Sequence, residues 1–150
     1  MTIIAEKIVF GGNSLAKIDG KNVFVPFAIP GETLEVQITK NYKDYDVAEI
    51  TSIINPSKHR VEPPCKYYKK CGGCNMLHID YDFQKKLRTQ ILSDLFLQQG
   101  IDVQNQIEII SGQNCNYRCR FQLNNGGLSE RSSKQDLKKC LLYPVIHLIM

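Results

Sequence analysis

Three cysteines fall within one ten-residue stretch, Cys65-Lys-Tyr-Tyr-Lys-Lys-Cys71-Gly-Gly-Cys74, and nothing else in the chain constrains its folding as strongly. The remaining cysteines are Cys115, Cys119 and Cys140. An even cysteine count would suit disulfides in a secreted protein. The opening MTIIAEKIVF, however, sets Glu6 and Lys7 inside what would have to be the apolar core of a secretion signal, so no targeting peptide is visible. The expectation is a reduced, cytoplasmic setting, where clustered thiols bind metal more often than they cross-link. Thiolates are soft ligands suited to zinc or to an iron–sulfur cluster, and a two-residue gap lets successive cysteines reach one centre. Gly72 and Gly73 allow backbone N–H groups to turn toward anionic sulfur, which a β-branched pair would obstruct. A fourth ligand is needed, and Cys140, Cys119, Cys115 and His78 are all available. Cys115-x-x-x-Cys119 would also make a second close pair, so spacing alone leaves zinc and iron–sulfur both open.

With 150 residues, of which 43% are hydrophobic and 23% charged, the chain has room for one medium domain or two small ones, and it is not a disordered polymer. It has no apolar run of the length a membrane helix requires. The formal net charge of +4 is unevenly placed: residues 58–90 carry 8 basic and 3 acidic side chains, whereas residues 1–57 carry 5 and 7. Such a local excess is either a footprint for a phosphate backbone or a solvated lysine face.

Residues 3–54 read as short strands separated by turn signals, the pattern of a small all-β barrel. From Thr33 to Thr39, Leu34, Val36 and Ile38 alternate with Glu35, Gln37 and Thr39, so one face is core and the other solvated. Asp19-Gly20 between Ser14–Ile18 and Lys21–Pro26 signals a two-residue hairpin turn. Gly11-Gly12 and Pro30-Gly31 mark other joints, and a run from Val47 to Ile54 completes about five strands, the number of an OB-type barrel. Phe24 and Phe27 are assigned to core packing. Residues 55–64 (NPSKHRVEPP) lack an apolar period and contain Pro56, Pro63 and Pro64, which places a stiff connector and a domain boundary there. Farther on, Phe83, Leu87, Ile91 and Leu95 recur every four residues, with Asp80 or Asp82 as N-cap and Gly100 beyond the end. That spacing predicts a helix of about four turns whose stripe is core.

A small barrel containing IPGE (Ile29 to Glu32), then NPSKHRVEPPC, then C-x5-C-G-G-C, resembles the TRAM-containing family of RNA uracil-5-methyltransferases, which act on ribosomal or transfer RNA. The resemblance implies a mainly β and then α+β chain: a five-stranded, OB-like TRAM barrel over residues 1–56, followed by an incomplete iron–sulfur central domain over 57–150. It implies a [4Fe–4S] cluster held by Cys65, Cys71 and Cys74. By the same resemblance Cys140 is the fourth ligand, because Asn116-Tyr117-Arg118 leads a strand of the family's kind, and Gly127-Leu128 through Ser132 precede Cys140. Cys115 and Cys119 are then incidental thiols and His78 a loop residue. The family's S-adenosylmethionine-dependent domain lies downstream of this sequence, and no Gly-rich strand-to-helix turn is present to hold that cofactor. The chain by itself is therefore expected not to methylate RNA. Its last ten residues, LLYPVIHLIM, are almost wholly apolar, and either the catalytic domain or a separate catalytic chain is expected to cover them.

Structured RNA, and neither DNA nor a membrane, is the expected partner. Its candidate contacts are Lys40, Tyr42, Lys43 and Tyr45 on a barrel loop, Lys66, Lys69 and Lys70 around the cysteines, Lys85 and Lys86 on the helix, and Arg118 and Arg120 on a later strand. Two rival readings are a stand-alone zinc-bound RNA-binding module and a small iron–sulfur electron carrier.

Overall fold

The computed structural model describes residues 1–103 and 106–113, together with the backbone of Leu128–Ser129 and Asp136–Leu137. Six strands form one curled sheet: β1 (Thr2–Ile4), β2 (Lys7–Ile8), β3 (Asn13–Ile18), β4 (Lys21–Pro26), β5 (Thr33–Asn41) and β6 (Tyr45–Asn55), in the order β1-β5-β6-β4-β3-β2. Neighbours are antiparallel apart from the parallel pair β4 and β6. The count of six, where the sequence suggests five, comes from the N-terminal segment. Its first half pairs with β5, as in Ile3 opposite Leu34, and its second half pairs with β3, as in Lys7 opposite Leu15. Between them Ala5 N–H donates to the Glu32 carbonyl (3.0 Å) and Glu6 N–H to the Leu15 carbonyl (2.8 Å). A strand that changes partners must bend, and the bend breaks its ladder into two. One continuous segment thus supplies both ends of the sheet order, which leaves little strand edge for unwanted pairing.

The interior holds Ile3, Ala5, Ala16, Val23, Val25, Ala28, Leu34, Val36 and Ala48, with Ile18, Ile38 and Ile50 partly buried against them. The three alanines at positions 16, 28 and 48 are fully buried, and their small side chains let the strands of a tightly curled sheet approach. Alternation works in β5 as its sequence requires, with Leu34 and Val36 inside and Glu35 and Gln37 outside. Asp19 (φ 49°) and Gly20 (φ 80°) are both left-handed, and Ile18 faces Lys21 across them, which is the two-residue hairpin expected from Asp-Gly. Phe24 departs from expectation. Because Val23 and Val25 point inward, the pleat turns Phe24 to the outer face, where it is half-buried.

Beyond β6, helix α1 spans Tyr81–Gln98. Asp80 caps it by accepting the Phe83 N–H at 2.9 Å, and Gly100 takes a left-handed φ of 77° just past the end. At 18 residues it is about one turn longer than its sequence pattern predicts. Leu87 is buried with Ile8, Ile29 and Ile79, and Phe83 and Ile91 pack against this group. Lys7 Nζ pairs with Asp94 at 2.8 Å, a further link from β2 to the helix. Leu95 is 39% exposed, so the apolar stripe is core at three of its four positions. The surface offered by Ile8, Ile29 and Ile79 matches only the first turns of α1, and the last turns carry Leu95, Phe96 and Leu97 into solvent. Short strands β7 (Leu128–Ser129) and β8 (Asp136–Leu137) form a separate antiparallel pair.

Leu87→Ala is expected to destabilise the protein by about 2–5 kcal/mol. Leu95→Ala should cost less than about 1 kcal/mol. Thermal unfolding of the two variants side by side checks this division of the stripe.

Candidate RNA interface and the cysteine loop

The link between barrel and cysteine loop is built on Glu32, the last residue of IPGE. Its side chain is fully buried, yet every direction around it is satisfied. The Ile29 N–H donates to Oε2 (2.9 Å) and the Ser57 N–H to Oε1 (3.1 Å). Arg60 donates to both oxygens, Nε to Oε1 and Nη2 to Oε2, each at 2.6 Å. The same Nη2 also donates to the Phe27 carbonyl at 2.9 Å. Burial alone would raise the Glu32 pKa, but the hydrogen bonds from Arg60, Ser57 and Ile29 and the Arg60 charge outweigh it and hold the carboxyl below its ordinary value. Residues 57–61, expected as a stiff connector, are therefore docked: Arg60 pairs with Ile79, Val61 N–H donates to the His78 carbonyl (2.9 Å), and Asp80 N–H donates to the His59 carbonyl (2.9 Å). His59 completes the seat by stacking on Phe83 at 3.9 Å and placing Nδ1 2.7 Å from Asp80.

The cysteine loop is folded by short-range bonds. Tyr68 N–H donates to the Cys65 carbonyl, and Lys70 and Cys71 N–H both donate to the Tyr67 carbonyl, with Lys69 at a left-handed φ of 71°. The Gly73 N–H donates to Cys71 Sγ at 3.3 Å, the kind of bond a thiolate favours. His78 is buried beneath this loop, its ring packed by Phe27 and Tyr68. Tyr68 donates its hydroxyl to the Asn75 carbonyl (3.0 Å), and the same oxygen lies 2.6 Å from His78 Nδ1. Nε2 of His78 is buried and makes no hydrogen bond among the described residues. Burial first, and then the charges of Arg60 and Lys69, hold the His78 pKa down to about 4; the Ala28 carbonyl and Glu32 oppose this and lose. His78 is thus a neutral, interior residue. Phe27 likewise belongs to this junction, not to the barrel core: at φ 65° its backbone turns the ring onto Tyr68 at 5.4 Å between centroids.

On the outer face, three aromatic rings meet. Tyr42 stacks on Tyr45 (4.7 Å, 27°), and Phe24 meets Tyr45 edge-on (5.3 Å). Tyr42 and Tyr45 are 44% and 37% exposed, and Lys40 and Lys43 beside them are exposed. Lys21 stiffens this tip by donating to the Tyr42 carbonyl and to Asp46, at 2.5 Å and 2.7 Å. The four candidate residues of this loop are therefore brought together, with Phe24 as an addition that only the strand's inside-out phase reveals.

The candidates elsewhere fare unevenly. Lys70 and Lys86 are exposed. Lys66 lies over the Tyr67 ring (5.2 Å) and Lys69 over Phe27 (5.6 Å). Lys85 is engaged by Asp82 at 2.7 Å and by the Tyr81 ring, which makes it a helix-stabilising pair. Cys65 and Cys71 are half-buried and Cys74 is exposed; among the described residues no three of the cysteine, histidine and acidic side chains gather as a metal-binding group. Cys115, Cys119, Cys140, Arg118, Arg120 and the apolar stretch 141–150 lie outside the described residues. Among the described residues no helix is long and apolar enough to cross a membrane.

The curled sheet with its bent first strand coincides with a known domain: the family model for the TRAM domain matches residues 2–51. Residues 2–51 are a TRAM domain. The chain around it is homologous to RNA uracil-5-methyltransferases. It is 35% identical over 150 residues to an uncharacterized RNA methyltransferase of Aquifex aeolicus, covering 95% of this chain and 35% of that protein. A Clostridium tetani RNA methyltransferase, also uncharacterized, is 43% identical over 110 residues, covering 73% of this chain and 24% of the other. The 23S rRNA (uracil(1939)-C(5))-methyltransferase of Chromohalobacter salexigens is 35% identical over 119 residues, covering 79% and 25%. The chain thus spans between a quarter and about a third of the length of these relatives. In structure it superposes on Pyrococcus abyssi tRNA (uracil-54, C5)-methyltransferase with a TM-score of 0.58 and 22% identity, over 95% of this chain and 32% of that one, a likeness that speaks for the fold.

Two buried groups, Glu32 within the TRAM domain and His78 beneath the cysteine loop, set the response to acid. Folding favours the neutral form of His78, so its contribution is complete above the ordinary value of 6.5 and is lost as pH falls toward about 4. By the linkage relation that loss amounts to about 3 kcal/mol. Folding favours the charged form of Glu32, whose contribution is present above its ordinary value of 4.5 and drains away below it. The unfolding temperature should therefore fall steadily from pH 7 to pH 4. His78→Gln should flatten the upper part of that slope, as thermal melts across the pH range will show.

Proposed function

We propose that this chain is the RNA-recognition and iron–sulfur portion of a 23S rRNA or tRNA uracil-5-methyltransferase. The observation that carries this reading is the exposed Tyr42–Tyr45 stack between Lys40 and Lys43 on the outer face of a TRAM domain. Aromatic faces bind unpaired bases with little regard to sequence, and neighbouring cations follow the phosphates. The cations of the cysteine loop, Lys66, Lys69 and Lys70, and Lys86 on α1 would extend this contact, together with Arg118 and Arg120. The methyl-transfer step and its S-adenosylmethionine site belong, on this reading, to the part of the relatives that this chain does not span.

The cysteine loop is suited by its donor chemistry to a thiolate-bound cluster: it offers three cysteines within ten residues and a backbone N–H aimed at sulfur. Cys65, Cys71 and Cys74, with Cys140 as fourth ligand, would hold a [4Fe–4S] centre. Such a centre would supply four metal–sulfur bonds that tie the loop to the segment containing Cys140, a structural role. The protein's own residues do the positioning. Glu32 and Arg60 fasten the loop's root to the TRAM domain, and the Phe27–Tyr68–His78 packing sets its orientation.

Two measurements test this. Anaerobically purified protein should contain about four irons with matching sulfide and absorb in the visible, and Cys140→Ser should lose them. One zinc per chain and no colour would favour the zinc-bound module. Binding to a single-stranded RNA should weaken about 50-fold between 50 and 200 mM salt if about four phosphates are neutralised, and Lys40→Ala with Lys43→Ala should lower the salt slope by about 1.4. Salt-independent or absent binding would overturn the reading.

A further inference from the structure

We propose that Phe10, at the tip of the β2–β3 turn, is a second stacking platform for an unpaired RNA base, on a surface built jointly by that turn and the cysteine loop. This rests on the RNA-binding reading and names a part of the interface that the charge and loop patterns of the sequence do not reveal. Phe10 is 79% exposed, more than Tyr42 or Tyr45. A single exposed ring is ordinary on a protein surface. What sets Phe10 apart is how firmly its backbone is held and what holds it.

The turn is closed by Val9 N–H to the Asn13 carbonyl (2.9 Å) and Gly12 N–H to the Val9 carbonyl (3.0 Å), with Gly11 and Gly12 both left-handed at φ 92° and 83°. Asn75, which follows Cys74 directly, reaches across and donates Nδ2 to the Gly11 carbonyl at 2.9 Å. The space a side chain at Gly12 would need is taken by Asn75: a Cβ there would lie 2.8 Å from Asn75 Cβ. Gly12 is thus required twice, by its backbone angle and by the close approach of the loop. From Asn75 the contacts continue inward, since its carbonyl accepts the Tyr68 hydroxyl, Tyr68 packs on Phe27, and Lys69 lies over Phe27. The ring is therefore exposed while its mount is clamped to the loop that carries Lys66, Lys69 and Lys70. A rigid aromatic beside a cationic loop matches what single-stranded nucleic acid binders use. A stable protein partner would bury about 800 Å² on this side, and beside Phe10 the turn offers only the half-buried Val9 and two glycines.

Binding of a uridine-rich single-stranded RNA oligonucleotide, followed by fluorescence anisotropy on the full 150-residue chain, tests this. Phe10→Ala and Phe10→Leu should weaken binding about 10-fold, within the range of base stacking on an aromatic, while Phe10→Trp should bind as well as the unsubstituted chain or better. The salt slope should stay the same in all three, because the ring neutralises no phosphate. Melting temperature should also be unchanged, since the side chain is in water. Equal affinity of the Ala, Leu and unsubstituted proteins overturns the platform alone. Failure of the unsubstituted chain to bind RNA at any salt overturns both this inference and the RNA-binding reading.

Discussion

The buried Glu32–Arg60 pair is the interaction on which the arrangement of this molecule depends. A carboxylate with no solvent exposure is tolerable only when each of its lone-pair directions is met, and here two backbone N–H groups and both arms of a guanidinium meet them. The partners come from three places: the IPGE turn itself, the chain leaving β6, and Arg60 in the segment leading to the cysteines. Removing either charged partner would leave the other buried and uncompensated, which is why such pairs act as locks on geometry more than as sources of net stability. Through Arg60 the lock also fixes the Phe27 carbonyl, and Phe27 in turn supports Tyr68 and His78. The cysteine loop inherits its position from a carboxylate in the barrel.

That dependence gives physical meaning to the two sequence blocks that carry the family resemblance. IPGE and NPSKHR lie more than twenty residues apart, yet they are the two halves of one ion pair. The TRAM domain carries the aromatic and basic tip, and the docked segment carries the cysteine loop. The helix is held to the barrel by a small apolar group around Leu87 and by the Lys7–Asp94 pair, so its last turns, with Leu95, Phe96 and Leu97, extend past the barrel. In relatives about three times as long, more chain is available to meet such a surface.

Elements governed by local chemistry were legible from residues alone. Asp19-Gly20 specified its turn because both positions need positive φ, and the Leu34–Val36 alternation specified an inside face because the pleat has period two. Asp80 and Gly100 marked the two ends of the helix through capping chemistry. About five strands became six because the first segment divides between two partners, and nothing in TIIAEKI announces that change. Phe24 was misassigned because an aromatic in a strand is as suited to an outer stacking face as to a core, and only the phase set by Val23 and Val25 decides. The candidate site was legible in part. Lys40, Tyr42, Lys43 and Tyr45 are neighbours in sequence and in space. Lys85 is held by Asp82 through a local helix contact, and the fixed mount of Phe10 is not legible in the sequence because Asn75, which holds it, lies far along the chain.

The sequence by itself determined the strand-rich first part, its hairpin turn, the capped helix and the chemical character of the cysteine loop, since each depends on residues within a few positions of one another. Tertiary structure alone decided that Glu32 would be the buried counter-ion of Arg60, that His78 would be a neutral interior ring, and that the Gly11-Gly12 turn would be clamped by Asn75. All three are products of burial and of charge brought together across long separations. The desolvation that makes an ion pair compulsory, or a histidine neutral, arises only once the chain has closed around it.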